Sequence, residues 1–211
     1  MPALSKILEN KLIAIIRGAN PDDVLKIAEA LYLGGIRILE ITMNSVEPLQ
    51  VIKKVADKLG DKMIIGAGTV LDAKSARDAV AAGASFILSP IANEDIIKTA
   101  KDLGAVSIPG AFTATEIYNA WKNGADIVKV FPAISPSYIK DITGPLPQIK
   151  LLPTGGINIE NIKDYKKAGA VGFGIGSALV DTKKAVNHEY LSELTNKARK
   201  FVDAILGCSI N

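Results

Sequence analysis

The 211-residue chain carries a net charge of +3 and is 48% hydrophobic but only 5% aromatic, with 18 glycines. That composition allows a substantial core and excludes both a disordered chain and the basic, aromatic-rich surface of a nucleic-acid binder, so no nucleic-acid partner is expected. With His188 and Cys208 as the only histidine and cysteine, an intramolecular disulfide and a centre built from several His or Cys ligands are excluded, and no metal or cofactor is expected.

The N-terminus is amphipathic and charged, and residues 4–9 read as a short helix. The apolar run that follows, 12–16, is too short for a signal core or a membrane span, which predicts a cytoplasmic protein with no membrane partner. Residues 12–17 end in Arg-Gly and have the continuous apolar pattern of a strand buried on both faces. Asn20-Pro21-Asp22-Asp23 supplies a cap, a first-turn proline and two first-turn acids. A helix is therefore expected to run to Leu33 and stop at Gly34-Gly35.

The same unit then recurs. Strands are predicted at 37–43, 63–70, 86–90, 105–109, 125–132, 150–154 and 172–175. Helices alternate with them at 46–59, 73–82, 94–103, 115–123, 137–142, 159–168 and 189–206. Helix stops at Gly83, Gly104, Gly124 and Gly169 mark a weak repeat of about one βα unit, without any linker-like break. Eight strands alternating with eight helices predict a single α/β domain over residues 1–211: a (β/α)8 TIM barrel with a short N-terminal helix. An open doubly wound sheet is the alternative. The first βα turn, Arg17-Gly18-Ala19-Asn20-Pro21, lacks the Gly-x-Gly-x-x-Gly loop of dinucleotide folds.

Lys129 lies inside the apolar run Ala-Asp-Ile-Val-Lys-Val-Phe-Pro. Strand alternation turns Ile127, Lys129 and Phe131 to one face. Burying an ammonium costs several kcal/mol, and the usual escape, a lowered pKa, makes the neutral amine a nucleophile toward carbonyl carbon. By the same alternation Glu40 shares a face with Ile38 and Thr42. A lysine and a glutamate are thus expected to meet inside, either as a structural ion pair or as a catalytic one. A catalytic pair needs a nearby anion site to hold a small charged substrate. The loops after the seventh and eighth strands, Pro153-Thr-Gly-Gly-Ile-Asn158 and Gly174-Ile-Gly-Ser177, have the glycines for backbone phosphate binding. Arg17, at the end of the first strand, suits a carboxylate or phosphate, and Thr69, near the end of the third, offers a hydroxyl to the same anion.

These residues lie in a series of short motifs: Leu-Glu-Ile-Thr around Glu40, Gly-Ala-Gly-Thr-Val at 66–70, Ser89-Pro90, Ile-Pro-Gly at 108–110, Lys-Val-Phe-Pro at 129–132, Pro-Thr-Gly-Gly-Ile at 153–157 and Gly176-Ser177. In order and spacing the series resembles the 2-keto-3-deoxy-6-phosphogluconate (KDPG) aldolases over nearly the whole chain. The resemblance implies a class I aldolase, a lyase acting on a phosphorylated keto acid and assembled as a homotrimer of (β/α)8 barrels. It implies Lys129 as the Schiff-base residue and Glu40 as general acid and base. Arg17 and Thr69 would contact the substrate carboxylate, Gly155, Gly156, Gly176 and Ser177 the phosphate, and Pro90 and Phe131 are counted with the substrate-binding residues. One position departs from the family's commonest pattern: Asn44 stands where the gluconate-type enzymes carry arginine. Asn-Ser there resembles the 2-keto-3-deoxy-6-phosphogalactonate aldolases, which places Asn44 near the C4 hydroxyl; its alternative role is to turn the chain into the next helix. A barrel isomerase or synthase of a phosphorylated metabolite, or a non-catalytic phosphate binder, would share the glycine loops without needing Lys129.

Overall fold

The computed structural model describes residues 2–207; Cys208 lies outside them. The chain runs α1 (Pro2–Asn10), β1 (Leu12–Ile16), α2 (Pro21–Leu33), β2 (Ile38–Thr42), α3 (Pro48–Leu59) and β3 (Ile64–Gly68). It continues with α4 (Ala73–Ala81), β4 (Phe86–Leu88), α5 (Glu94–Asp102), β5 (Val106–Ile108), β6 (Gly110–Ala111) and α6 (Ala114–Lys122). Last come β7 (Val128–Val130), α7 (Pro136–Thr143), β8 (Leu151–Pro153), α8 (Ile162–Lys167), β9 (Phe173–Ile175) and α9 (His188–Leu206). Among the described residues no helix is long and apolar enough to cross a membrane.

Local chemistry sets the helix starts. The side chains of Asn20, Asp72, Asn93, Thr113, Ser135 and Asn187 each accept a backbone N–H of the helix they precede. The third helix, expected from residue 46, begins two residues later. Pro48 disfavours a right-handed helical conformation in the residue before it, and Glu47 takes φ 46° instead.

Every strand pairing is parallel. Six strands form one sheet in the order β5-β4-β3-β2-β1-β9, and three form a second in the order β6-β7-β8. Parallel strands alternating with helices are what the sequence predicts; the division into two sheets is not. The fifth strand, predicted over 105–109, is found as Val106–Ile108; beyond Pro109, which has no N–H for the ladder, the chain pairs again as the unpredicted β6. The Pro109 carbonyl still accepts from the Lys129 N–H at 2.9 Å, so the lysine strand is aligned on the break. A bridge between Thr154 and Gly174 joins the end of β8 to β9. The third predicted strand ends at Gly68 because Thr69 turns to φ 56°.

Alternation sorts the strand side chains into two layers. Ile13, Ile38, Phe86, Leu88, Val106, Ile108, Ile127 and Leu152 pack on one another in the interior, where Ile7 of α1 joins them. Their neighbours on the opposite faces, among them Leu39, Ile41, Ile65, Val128 and Val130, pack with the buried residues of the helices. Helix α1 thus covers the N-terminal side of the interior. Packing in the inner layer is tight: a Cβ on Gly66 would stand 2.4 Å from the ring of fully buried Phe86. The substitution Gly66→Ala is expected to lower stability by about 1–3 kcal/mol through overpacking. A lowered denaturant midpoint, partly restored by Phe86→Leu in the same chain, is the check.

Candidate active site

Lys129 is the middle residue of β7 and 4% exposed; Glu40 is the middle residue of β2 and 1% exposed. Both share the inner face of their strands with the apolar cluster, since Ile127 precedes Lys129 and Ile38 precedes Glu40 on the same faces. The room for the glutamate comes from the neighbouring strand. Glu40 pairs in register with Gly66 and Thr42 with Gly68, and a Cβ on Gly68 would fall 1.7 Å from Glu40 Oε1. The carboxyl occupies the place of a missing side chain.

Among the described residues Lys129 and Glu40 form no direct ion pair. The Lys129 Nζ lies 4.7 Å from the centroid of the Phe131 ring, and Glu40 Oε2 has no hydrogen-bond partner. Burial pushes the Lys129 pKa down; the Glu40 charge opposes this and the Arg17 charge adds to it. Burial pushes the Glu40 pKa up, against the attraction of Lys129 and Arg17. The two groups feel each other's charge without touching. Each is moved toward its neutral form.

Beside them opens a cleft of about 440 Å³, lined by Arg17, Phe131, Gly155, Gly156, Gly176 and Ser177 of the sequence-predicted residues. That volume suits a small phosphorylated acid. Gly155 and Gly156 take φ 87° and 73°, in the left-handed region that favours glycine. After β9, the Leu179 and Val180 N–H groups both donate to the Gly176 carbonyl, forming one helical turn. Among the described residues the N–H groups of Gly156, Ser177 and Ala178 have no protein acceptor, so the two loops offer free donors to an anion. Arg17 is exposed at the cleft and adds the positive charge.

Lys129 and Glu40 themselves do not line this cleft, and neither do Thr69, Asn44 or Pro90. Thr69 is half-buried at the end of β3, and its φ of 56° is strained for a β-branched residue, a kind of strain that clusters at functional sites. Asn44 is exposed and, among the described residues, its side chain makes no hydrogen bond; it sits in the turn closed by the Ser45 N–H on the Thr42 carbonyl, so it also serves to turn the chain toward α3. Pro90 follows β4, and its carbonyl would stand 2.6 Å from a Cβ on Gly110.

Sequence reasoning missed Thr154. It is 5% exposed, lines the cleft, and its Oγ1 has no hydrogen-bond partner. The signal was present: Thr154 follows Leu152 at strand spacing, a polar residue at the C-terminal end of an otherwise apolar strand. It also missed Thr182 and Asn158 on the cleft wall. Arg37, at the N-terminal end of β2, lines a separate 250 Å³ cavity with Lys6 and Glu9.

Fold and comparisons together place the chain among the aldolases, which are lyases. Residues 4–196 match the family model for KDPG and KHG aldolase, and the chain belongs to that family. The 2-dehydro-3-deoxy-6-phosphogalactonate aldolase of Escherichia coli K12 is 38% identical over 171 residues, 80% of this chain and 83% of that protein. The native KDPGal structure superposes with a TM-score of 0.86 at 35% identity, over 93% of this chain and 94% of that one. KDPG aldolase from Legionella pneumophila, with pyruvate captured at low pH as a covalent carbinolamine intermediate, superposes with a TM-score of 0.80 at 29% identity, over 93% of this chain and 96% of that one.

The pKa directions set the cost of the pair. A raised folded-state pKa means that Glu40's contribution is intact below the ordinary value of 4.5 and is lost as pH rises through the folded value. A lowered one means that Lys129's contribution is intact above 10.5 and is lost as pH falls through the folded value. At pH 7 both groups cost stability. The double variant Lys129→Met/Glu40→Gln is expected to be more stable than the parent at pH 7 by about 1–4 kcal/mol, read from denaturant unfolding. An equal or lower stability would show that the pair holds the strands together.

Proposed function

We propose that the chain is a class I aldolase that cleaves 2-keto-3-deoxy-6-phosphogluconate and its galactonate epimer to pyruvate and glyceraldehyde 3-phosphate. One observation carries the mechanism: a buried amine with a lowered pKa, free of an ion pair, beside a buried acid with a raised one. Neutral Lys129 attacks the C2 carbonyl, whose oxygen takes up protons and leaves as water, so that an iminium forms. The iminium accepts the C3–C4 electron pair as the C4 hydroxyl gives up its proton. Glyceraldehyde 3-phosphate departs, the enamine is protonated at C3, and water hydrolyses the iminium to pyruvate and free amine. Glu40, directly or through a water, moves these protons, a task suited to an acid whose pKa lies above the carboxylate range.

The carboxylate is one bond from C2 and must lie close to Lys129. Arg17, whose charge is felt at both Lys129 and Glu40, takes this end together with Thr69. The phosphate lies on the loops of Gly155, Gly156, Gly176 and Ser177, whose free N–H groups favour an anion. Pro90 and Phe131 line the path of the carbon chain, and Asn44 stands near the C4 hydroxyl.

On the same reading residues 1–211 form one domain in which the two sheets close as a single (β/α)8 barrel, with β5 and β6 counting as one strand. The Thr154–Gly174 bridge supports closure on one side and the 3.0 Å hydrogen bond from the Asp126 N–H to the Ser107 carbonyl on the other. The protein works in the cytoplasm as a homotrimer; the exposed Tyr118 and Trp121 of α6, rings 5.7 Å apart, offer apolar surface for a second copy to cover.

Borohydride reduction in the presence of pyruvate is expected to leave a covalent adduct on Lys129, seen as a mass shift on its peptide. Lys129→Met is expected to remain folded and to lose both adduct and cleavage; full activity in that variant ends the Schiff-base reading. Glu40→Gln is expected to form the adduct and yet lose turnover by about 10²-fold or more. An amide at position 44 in place of a guanidinium leaves the C4 configuration loosely read. The kcat/KM values for the two epimers are therefore expected to agree within about tenfold to a hundredfold. A gluconate preference beyond about a thousandfold would remove Asn44 from the site and leave the aldolase intact.

A further inference from the structure

The turn that carries Arg17 is held from two sides by hydroxyl groups that the proposed chemistry does not use. Ser45, in the loop after β2, accepts a hydrogen bond from the Gly18 N–H at 2.9 Å. Its hydroxyl also shares a 2.9 Å hydrogen bond with the hydroxyl of buried Thr42, two residues beyond Glu40 on the same strand face. The Ser45 N–H donates to the Thr42 carbonyl at 3.1 Å, so Ser45 is fixed to the end of β2 twice. From the opposite side Thr182, in the connection after β9, donates to the Arg17 carbonyl at 2.9 Å.

Packing does little to fix this turn. Gly18 sits at φ 67° with nothing within 4 Å of the place where a Cβ would stand, and Arg17 is exposed. The next packed residue is Ala19, which is 5% exposed. A left-handed glycine in open space has much conformational freedom to lose, and here hydrogen bonds are what hold it. Ile16, the last residue of β1, is buried, so the chain between Ile16 and Ala19 is anchored at its ends and tethered in the middle by Ser45 and Thr182.

We infer that Ser45 is a positioning residue for Arg17. By holding the Gly18 N–H it fixes the direction in which the guanidinium enters the cleft, and through Thr42 it refers that direction to the strand carrying Glu40. The group that binds the substrate anion and the group that moves the proton then share one support, so the distance between them survives motion of the loops. The inference rests on the reading of Arg17 as the holder of the substrate carboxylate.

Steady-state kinetics with 2-keto-3-deoxy-6-phosphogluconate on Ser45→Ala, Ser45→Thr, Arg17→Ala and the Ser45→Ala/Arg17→Ala pair test it. Ser45→Ala is expected to raise KM about fivefold, the worth of one neutral hydrogen bond, and to keep kcat within about twofold. Ser45→Thr, which keeps the hydroxyl, retains the parent KM. With Arg17 already removed, Ser45→Ala has no further effect on KM, because the two act through one contact. An unchanged KM in Ser45→Ala while Arg17→Ala raises it overturns the inference and leaves the role of Arg17 standing. The same KM increase in the presence and absence of Arg17 also overturns it. If Arg17→Ala leaves KM unchanged, the role given to Arg17 fails and the inference falls with it.

Discussion

An amine buried beside an acid it does not touch is the constraint around which the rest of the molecule is arranged. A direct Lys129–Glu40 ion pair would restore both charges and make the amine a poor nucleophile; complete separation would leave each group buried with nothing to offset it. The structure takes a middle course. Glu40 lies in the recess left by Gly68, Lys129 lies under the Phe131 ring, and each senses the other's charge. Neither position is a local choice. Both follow from the register of β2 against β3 and of β7 against β6, so the chemistry is set by strand pairing.

Division of labour along the strands follows from their being parallel. Their inner faces meet in an apolar layer that α1 covers on one side, and their C-terminal ends lead into the loops that bear glycine, arginine and hydroxyl groups. Non-glycine residues take positive φ at both ends of the strands: Lys11 just before β1, Thr69 just after β3, and Glu47 just before α3.

Much of this was legible in the sequence, for physical reasons that differ from element to element. Helix starts were readable because a short polar side chain at the cap satisfies a specific backbone N–H, as Asn20 and Asn93 do. Helix ends were readable because Gly83, Gly104, Gly124 and Gly169 all adopt positive φ, which few other residues accept. Lys129 and Glu40 stood out because a charge in an apolar run violates its surroundings. What could not be read was anything decided between strands. Pro109 was readable as the end of a strand, but the further pairing of Gly110–Ala111 with the lysine strand in a second sheet was not. Thr154 looked like ordinary strand threonine until the neighbouring Gly174, whose Cβ would stand 2.3 Å from its Oγ1, showed where the hydroxyl sits. The absence of a Lys129–Glu40 ion pair is likewise a distance, which side-chain alternation alone does not give. Roles for these residues rest on chemistry and resemblance, and geometry adds their neighbourhood.

The closed floor made by α1 has a consequence for the order of events. For a substrate held in the proposed way, the keto-acid end lies deep, near the amine, and the phosphorylated end lies toward the glycine loops at the mouth. With entry and exit from one side only, the outer fragment must leave before the inner one can be freed. In the direction of synthesis the sequence reverses, and pyruvate has to be seated before the aldehyde arrives. A plug of Ala3, Leu4, Ile7 and Leu8 at the far end of the strands thus imposes an itinerary on molecules it never meets.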